Sequence, residues 1–163
     1  MFEVLVYMFE HYIDSHYRPD DSTLSKELFA AGFDEQDING AFDWFNQLED
    51  TTQAISGQAD IFETTHSHPS ATRIFTAAEI KKISGESIGF ILFLVQANIL
   101  NTAQRELVLE LAMNLPQLTI SIEEMRWIVL MTTWGASQAG PDKIKDYLFI
   151  EDALLNKQRP MLH

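Results

Sequence analysis

Recurrent helix-start signals constrain this chain more than any other feature of its sequence. A residue that can cap a helix is followed three positions later by an acidic residue at three places: Asp34 and Asp37, Thr76 and Glu79, and Ser121 and Glu124. This spacing lets both residues bond backbone N–H groups that a first helical turn leaves unpaired. Apolar residues then recur at intervals of three and four, as on the buried face of a helix. We therefore predict an all-α protein.

The individual helices follow from these signals and from the glycines and prolines that end them. The run over residues 88–100 is apolar almost all round, which predicts a buried central helix. The expected helices cover residues 2–16, 22–32, 35–49, 76–85, 88–100, 102–115 and 121–135, with a last one from Pro141 through Ile144, Tyr147, Leu148, Ile150 and Leu154.

Charge divides the chain into two halves. Residues 1–72 contain 14 acidic and two basic residues, whereas residues 73–163 contain ten acidic and nine basic residues. Residues 51–72 include Gly57 and Pro69, are rich in Thr, Ser and Gln, and show no helical period. We expect two closely packed small helical lobes joined by an irregular linker: an acidic N-terminal lobe over 1–50, the linker over 51–72, and a C-terminal lobe over 73–163.

Composition and charge also indicate location and partners. The chain has no cysteine, its first basic residue is Arg18, and its longest apolar run is shorter than the roughly 20 residues of a membrane span. We expect a cytoplasmic protein that does not enter membranes. The net charge of −13 is concentrated in residues 1–72, so nucleic acid is a poor partner for that half.

No set of residues predicts catalysis, a cofactor or a bound metal. Phosphate loops and nucleophile elbows are missing from the sequence. Asp60, Glu63, His66 and His68 have the chemistry of metal ligands, but histidines two residues apart point in different directions on a helix. The carboxylate pairs Glu10 with Asp14 and Glu106 with Glu110 are typical of a polar helix face.

Several short segments together resemble the bacterial Smg family over nearly the full length. They are Met1-Phe2-Glu3-Val4-Leu5-Val6-Tyr7, Gly32-Phe33-Asp34-Glu35-Gln36-Asp37-Ile38, Arg73-Ile74-Phe75-Thr76, Gly89-Phe90-Ile91-Leu92-Phe93-Leu94, Arg105-Glu106-Leu107-Val108, Arg126-Trp127-Ile128-Val129-Leu130-Met131 and Met161-Leu162-His163. The resemblance implies a bacterial protein of unknown function and brings no catalytic residues with it. Genes of this family often lie near genes for DNA-processing and topoisomerase proteins.

The two helices over residues 22–49 have the spacing of a helix-turn-helix motif, but the second helix has no basic residue for DNA. A small helical docking module fits better, with Phe33, Asp37 and Trp44 as candidate partner-binding residues. Trp44 lies at the margin of an apolar stripe, where it either covers the core or anchors a partner.

These observations favour a non-enzymatic protein–protein interaction or regulatory module that binds a protein with a basic or amphipathic segment. An enzyme with an unrecognised pocket is the first alternative. A nucleic-acid-associated protein linked to DNA processing is the second. Its available cations in the C-terminal half are Arg73, Lys81, Lys82, Arg105 and Arg126.

Overall fold

The computed structural model describes residues 1–13, 19–62 and 73–137, which are mostly α-helical. Within these ranges, Phe9–Ile13 continues the first helix as a π-helical turn, and Ile83 and Ile120 form an isolated parallel β-bridge without any strand. The all-α prediction is therefore confirmed. The α-helices are α1 (Phe2–Met8), α2 (Asp21–Ala30), α3 (Glu35–Phe62), α4 (Ala77–Lys82), α5 (Gly85–Gln96), α6 (Thr102–Met113) and α7 (Ile122–Ser137).

Buried apolar residues of both halves of the sequence form one contiguous cluster. Helix α3 packs against α1, α2, α6 and α7, and α6 packs against α7. Phe9 contacts Trp127 edge-on, with 6.1 Å between the ring centroids. The described residues thus share one core, and the predicted division into two lobes is not confirmed.

Helix α3 extends well beyond its predicted end. It runs from Glu35 to Phe62, so the prediction of irregular structure is wrong for residues 51–62. The apolar stripe continues from Leu48 through Thr52 to Ile55, at intervals of four and three residues. The Thr52 hydroxyl donates to the Leu48 carbonyl at 2.6 Å, and Ile55 packs against the core. Residues 63–72 and the helix predicted from Pro141 lie outside the described residues.

The helix starts follow local capping chemistry. The predicted capping boxes at Thr76 and Ser121 are both present. Other caps lie one or two residues from their predicted positions, because Asp20 caps α2 and Asn101 caps α6. Ser84 caps α5, so the glycine that follows it begins this helix and does not end α4.

The end of α6 is held by side chains from two other helices. The last carbonyls of a helix have no partner within it. The Trp44 indole N–H donates to the Leu111 carbonyl at 3.1 Å, and the Lys82 ammonium donates to the carbonyls of Met113 and Leu115. A cation here also interacts favourably with the helix dipole. These contacts tie α3 and α4 to the same end of α6.

No helix in the described ranges is both long and apolar enough to span a membrane.

Candidate interaction surface

Trp44, predicted at the margin of the core, lies inside it. Its side chain is 3% exposed, and its ring contacts Phe45 edge-on with 5.4 Å between centroids. The indole N–H is used by the Leu111 carbonyl of α6. Of the two roles left open for this tryptophan, the structure places it as part of the packing between α3 and α6, where it offers no surface to a partner.

Phe33 and Asp37 lie together on the N-terminal side of α3, next to α1. The half-buried ring of Phe33 contacts Tyr7 edge-on, with 5.3 Å between the centroids. The Asp37 carboxylate accepts from the N-terminal ammonium of Met1 at 2.8 Å. The structure therefore brings two of the three candidate residues to the same contact with α1, and it directs Trp44 toward α6 instead.

Phe29 is an exposed aromatic residue that the sequence analysis assigned to the apolar side of its helix. Helix α2 buries Leu24 and Leu28, which are four residues apart. Phe29 is one residue further on, about 100° around the helix, and its side chain is 67% exposed. A helical projection of α2 alone would have indicated this position.

The α2–α3 turn surrounds Phe29 with small and acidic residues. Gly32 has a φ of +100°, and the N–H groups of Gly32 and Phe33 donate to the carbonyls of Phe29 and Leu28, which is a Schellman motif. This turn fixes the start of α3 beside the end of α2. We call the exposed residues here the Phe29 surface; they are Glu27, Phe29, Ala30, Ala31, Asp34 and Glu35.

The electrostatic surroundings of the Phe29 surface are negative. Lys26 is the one basic residue in the sequence from residue 19 to residue 62. The acidic side chains of α2 and α3 are largely exposed, and they continue the negative surface along α3 through Asp43 and Asp50. A ligand that approaches this part of the molecule meets an excess of carboxylates around one aromatic ring, so a cationic ligand is favoured over an anionic one.

A second polar cluster joins α4 to α6. The Arg73 guanidinium donates to both carboxylate oxygens of Glu79 at 2.8 Å and to those of Glu106 at 2.7 and 3.0 Å. Its hydrogen bonds lower the pKa of Glu79 to about 2, and these two carboxylates raise the pKa of Arg73. Burial raises the pKa of Glu106, but hydrogen bonds from Arg73 and Arg105 outweigh it and the net pKa is lowered. This cluster is an ion-pair network between elements.

The basic residues considered for nucleic-acid binding are mostly engaged within the protein. Arg73 and Arg105 share Glu106, and Lys82 binds the carbonyls at the end of α6. Arg126 pairs with Glu123 at 2.9 Å and lies over the Phe90 ring, 5.7 Å from its centroid. Such residues would have to give up these contacts before they could bind phosphates.

The two predicted carboxylate pairs have separate surroundings. Glu106 binds the arginines, whereas Glu110 accepts from the Gln47 amide of α3 at 2.9 Å. Asp14 lies outside the described residues, as do the candidate metal ligands Glu63, His66 and His68. In the part of the chain that is described, no three acidic or histidine side chains group as metal ligands would.

The fold and this surface define a mostly α-helical protein with an acidic N-terminal region that exposes an aromatic side chain. The chain belongs to the family described as "Protein of unknown function (DUF494)", which matches residues 1–163. The resemblance to the Smg family is confirmed by similar curated proteins, each called "Protein Smg homolog". The relative from Methylobacillus flagellatus is 51% identical over all of both chains. That from Bordetella pertussis is 35% identical over all of both chains, and that from Vibrio parahaemolyticus is 34% identical over all of this chain and 99% of its own. No solved structure matches this chain.

Proposed function

We propose that this protein is a non-enzymatic interaction module of the bacterial cytoplasm that binds a basic, amphipathic segment of another protein at the Phe29 surface. The observation that carries the proposal is the 67% exposed ring of Phe29 at the tip of the α2–α3 turn. Folding gains nothing from leaving a large apolar side chain in water, whereas burial against a partner removes it from water. Aromatic residues surrounded by polar ones are frequent centres of binding energy.

Charge complementarity supports a basic partner. Residues 1–72 carry a formal net charge of −12, and Asp34 and Glu35 lie directly beside the aromatic tip. Carboxylates at the rim of an interface mainly increase the association rate and select the sign of the partner's charge. An amphipathic helix with Lys or Arg beside an apolar stripe would match both features of this surface. Binding should therefore weaken as salt is added.

Two of the residues singled out from the sequence remain part of this proposal. Phe33 follows the glycine of the turn, and Asp37 lies on the first turn of α3. Their contacts with Tyr7 and with the N-terminal ammonium hold the turn against α1. They would support the shape of the surface, while Phe29 and the neighbouring carboxylates would contact the partner.

A quantitative capture experiment from bacterial cytosol tests this proposal. The tagged protein is compared with the variants Phe29→Ala and Glu35→Lys, and with Leu118→Ala as the matched control. Leu118 is 93% exposed and lies in the loop between α6 and α7, away from the α2–α3 turn. Circular dichroism checks that all variants keep their helices.

A recovered protein should bind the wild type and the control equally. A central aromatic contact is worth about 2 kcal/mol, so Phe29→Ala should weaken binding roughly 30-fold. Glu35→Lys should slow association and flatten the salt dependence. Equal binding by the Phe29 and Leu118 variants, or binding that strengthens with salt, would contradict the proposal.

A further inference from the structure

Helix α5 has an exposed apolar face that its predicted role as a central buried helix did not anticipate. Ile91 and Leu94 are buried, but Leu92 and Phe93 are 39% and 52% exposed. We call the exposed stripe the α5 face. Its residues are spaced at four, three, one and three positions along one side of the helix: Gly85, Gly89, Leu92, Phe93 and Gln96.

The two glycines of the α5 face leave its backbone bare. A Cβ atom added at Gly85 or Gly89 would meet no described atom within 4 Å. Glycine inside a helix costs about 0.5–1 kcal/mol relative to alanine, and no described neighbour uses the space it leaves. Bare backbone beside two large apolar side chains allows another helix to approach closely.

The topology places the end of α7 near this face. The Ser84 N–H donates to the Ile120 carbonyl at 3.1 Å, so α5 and α7 begin from neighbouring points. Arg126 then lies over Phe90 at a similar height in the two helices, which shows that they run in parallel. With 12 and 16 residues they are about 18 and 24 Å long. The chain therefore leaves α7 just beyond the C-terminal end of α5.

The sequence after α7 has the pattern needed to return along α5. Gly140 and Pro141 form a turn signal, and Ile144, Tyr147 and Leu148 then recur at helical spacing. As a helix, residues 141–154 would be about 21 Å long, close to the length of α5. We propose that residues 141–154 form a helix that packs antiparallel on the α5 face and covers Leu92 and Phe93. The occupant of this face is then the chain itself, and the face is not a partner site.

Disulfide trapping in the full chain tests the proposal, because the natural sequence contains no cysteine. The test pair is Phe93→Cys with Tyr147→Cys, and a second register is covered by Phe93→Cys with Leu148→Cys. The control is Phe93→Cys with Asp146→Cys, since residue 146 adjoins 147 in sequence but would point away from α5. An undocked segment brings both positions to Phe93 at nearly the same effective concentration.

We expect at least one test pair to lose both free thiols within the monomer under mild oxidation while the control keeps them. Equal oxidation of test and control pairs would overturn the proposal, as would disulfide-linked dimers formed by Phe93→Cys alone. Hydrogen exchange of the unmodified protein provides a check that needs no substitution. Slow exchange of backbone amides over residues 144–154 is expected, and exchange at the rate of an unstructured peptide would also overturn it.

Discussion

Replacing Trp44 by alanine separates a structural role for this residue from a partner-binding one. The indole is 3% exposed and lies between α3 and α6. Removing a buried tryptophan side chain costs about 3–5 kcal/mol, because apolar surface is lost and a cavity remains. For a chain of this length, 1 kcal/mol corresponds to a change of about 2–4 °C in Tm. We expect Trp44→Ala to lower Tm by roughly 6–20 °C.

Two further variants show which part of the tryptophan contributes. Trp44→Phe keeps an aromatic ring but removes the N–H that binds the Leu111 carbonyl, so it should cost about 1–3 kcal/mol beyond a small packing change. Phe29→Ala removes an aromatic ring of similar size from an exposed position, and it should change the free energy of unfolding by no more than about 0.5 kcal/mol.

The assay is equilibrium unfolding in urea, followed by far-ultraviolet circular dichroism with equal slopes required for all variants. The expected order of destabilisation is Trp44→Ala, then Trp44→Phe, then Phe29→Ala. A loss below about 1 kcal/mol for Trp44→Ala would refute the assignment of this residue to the core. A loss of similar size for Phe29→Ala would refute the exposure on which the proposed interaction surface depends.

Glu79→Gln should destabilise the protein at neutral pH by about 1–2 kcal/mol, since a charged hydrogen-bonded pair is lost. The pKa of Glu79 is about 2, below its ordinary value of 4.5, so its contribution is full above that value and disappears as pH falls toward 2; unfolding curves of wild type and variant should converge over this range. Asn98→Gly should raise the stability by about 0.5 kcal/mol in thermal unfolding, because Asn98 has a φ of +58° that glycine adopts without strain. Ser121→Ala should cost about 1 kcal/mol in urea unfolding through loss of the cap on α7, and an unchanged midpoint would contradict the capping assignment.

Local signals predicted the helix starts well because they depend on nearby atoms. The bonds of Thr76 with Glu79 and of Ser121 with Glu124 join residues three positions apart, so the spacing alone specifies them. The stop of α2 at Gly32 is local for the same reason. In contrast, α3 continues past residue 50 on few apolar residues, and the packing of Ile55 on the core depends on helices distant in sequence.

The candidate surface was harder to predict because exposure depends on the whole fold. Trp44 is covered by α6, whose Leu111 is 67 positions away in the sequence. Leu92 and Phe93 belong to an almost fully apolar run, so no polar residue marked the side of α5 that faces outward. The acidic character of the N-terminal half was evident from the sequence, but the aromatic residue at its centre was identified only once the helices were placed.

The most direct test of the proposed function is hydrogen exchange of the purified protein with and without a partner recovered in the capture experiment. The account predicts slower exchange of backbone amides over residues 27–37, with little change along α5 and α6. Protection that leaves these residues unchanged and appears elsewhere in the molecule would contradict the assignment of the Phe29 surface as the binding site.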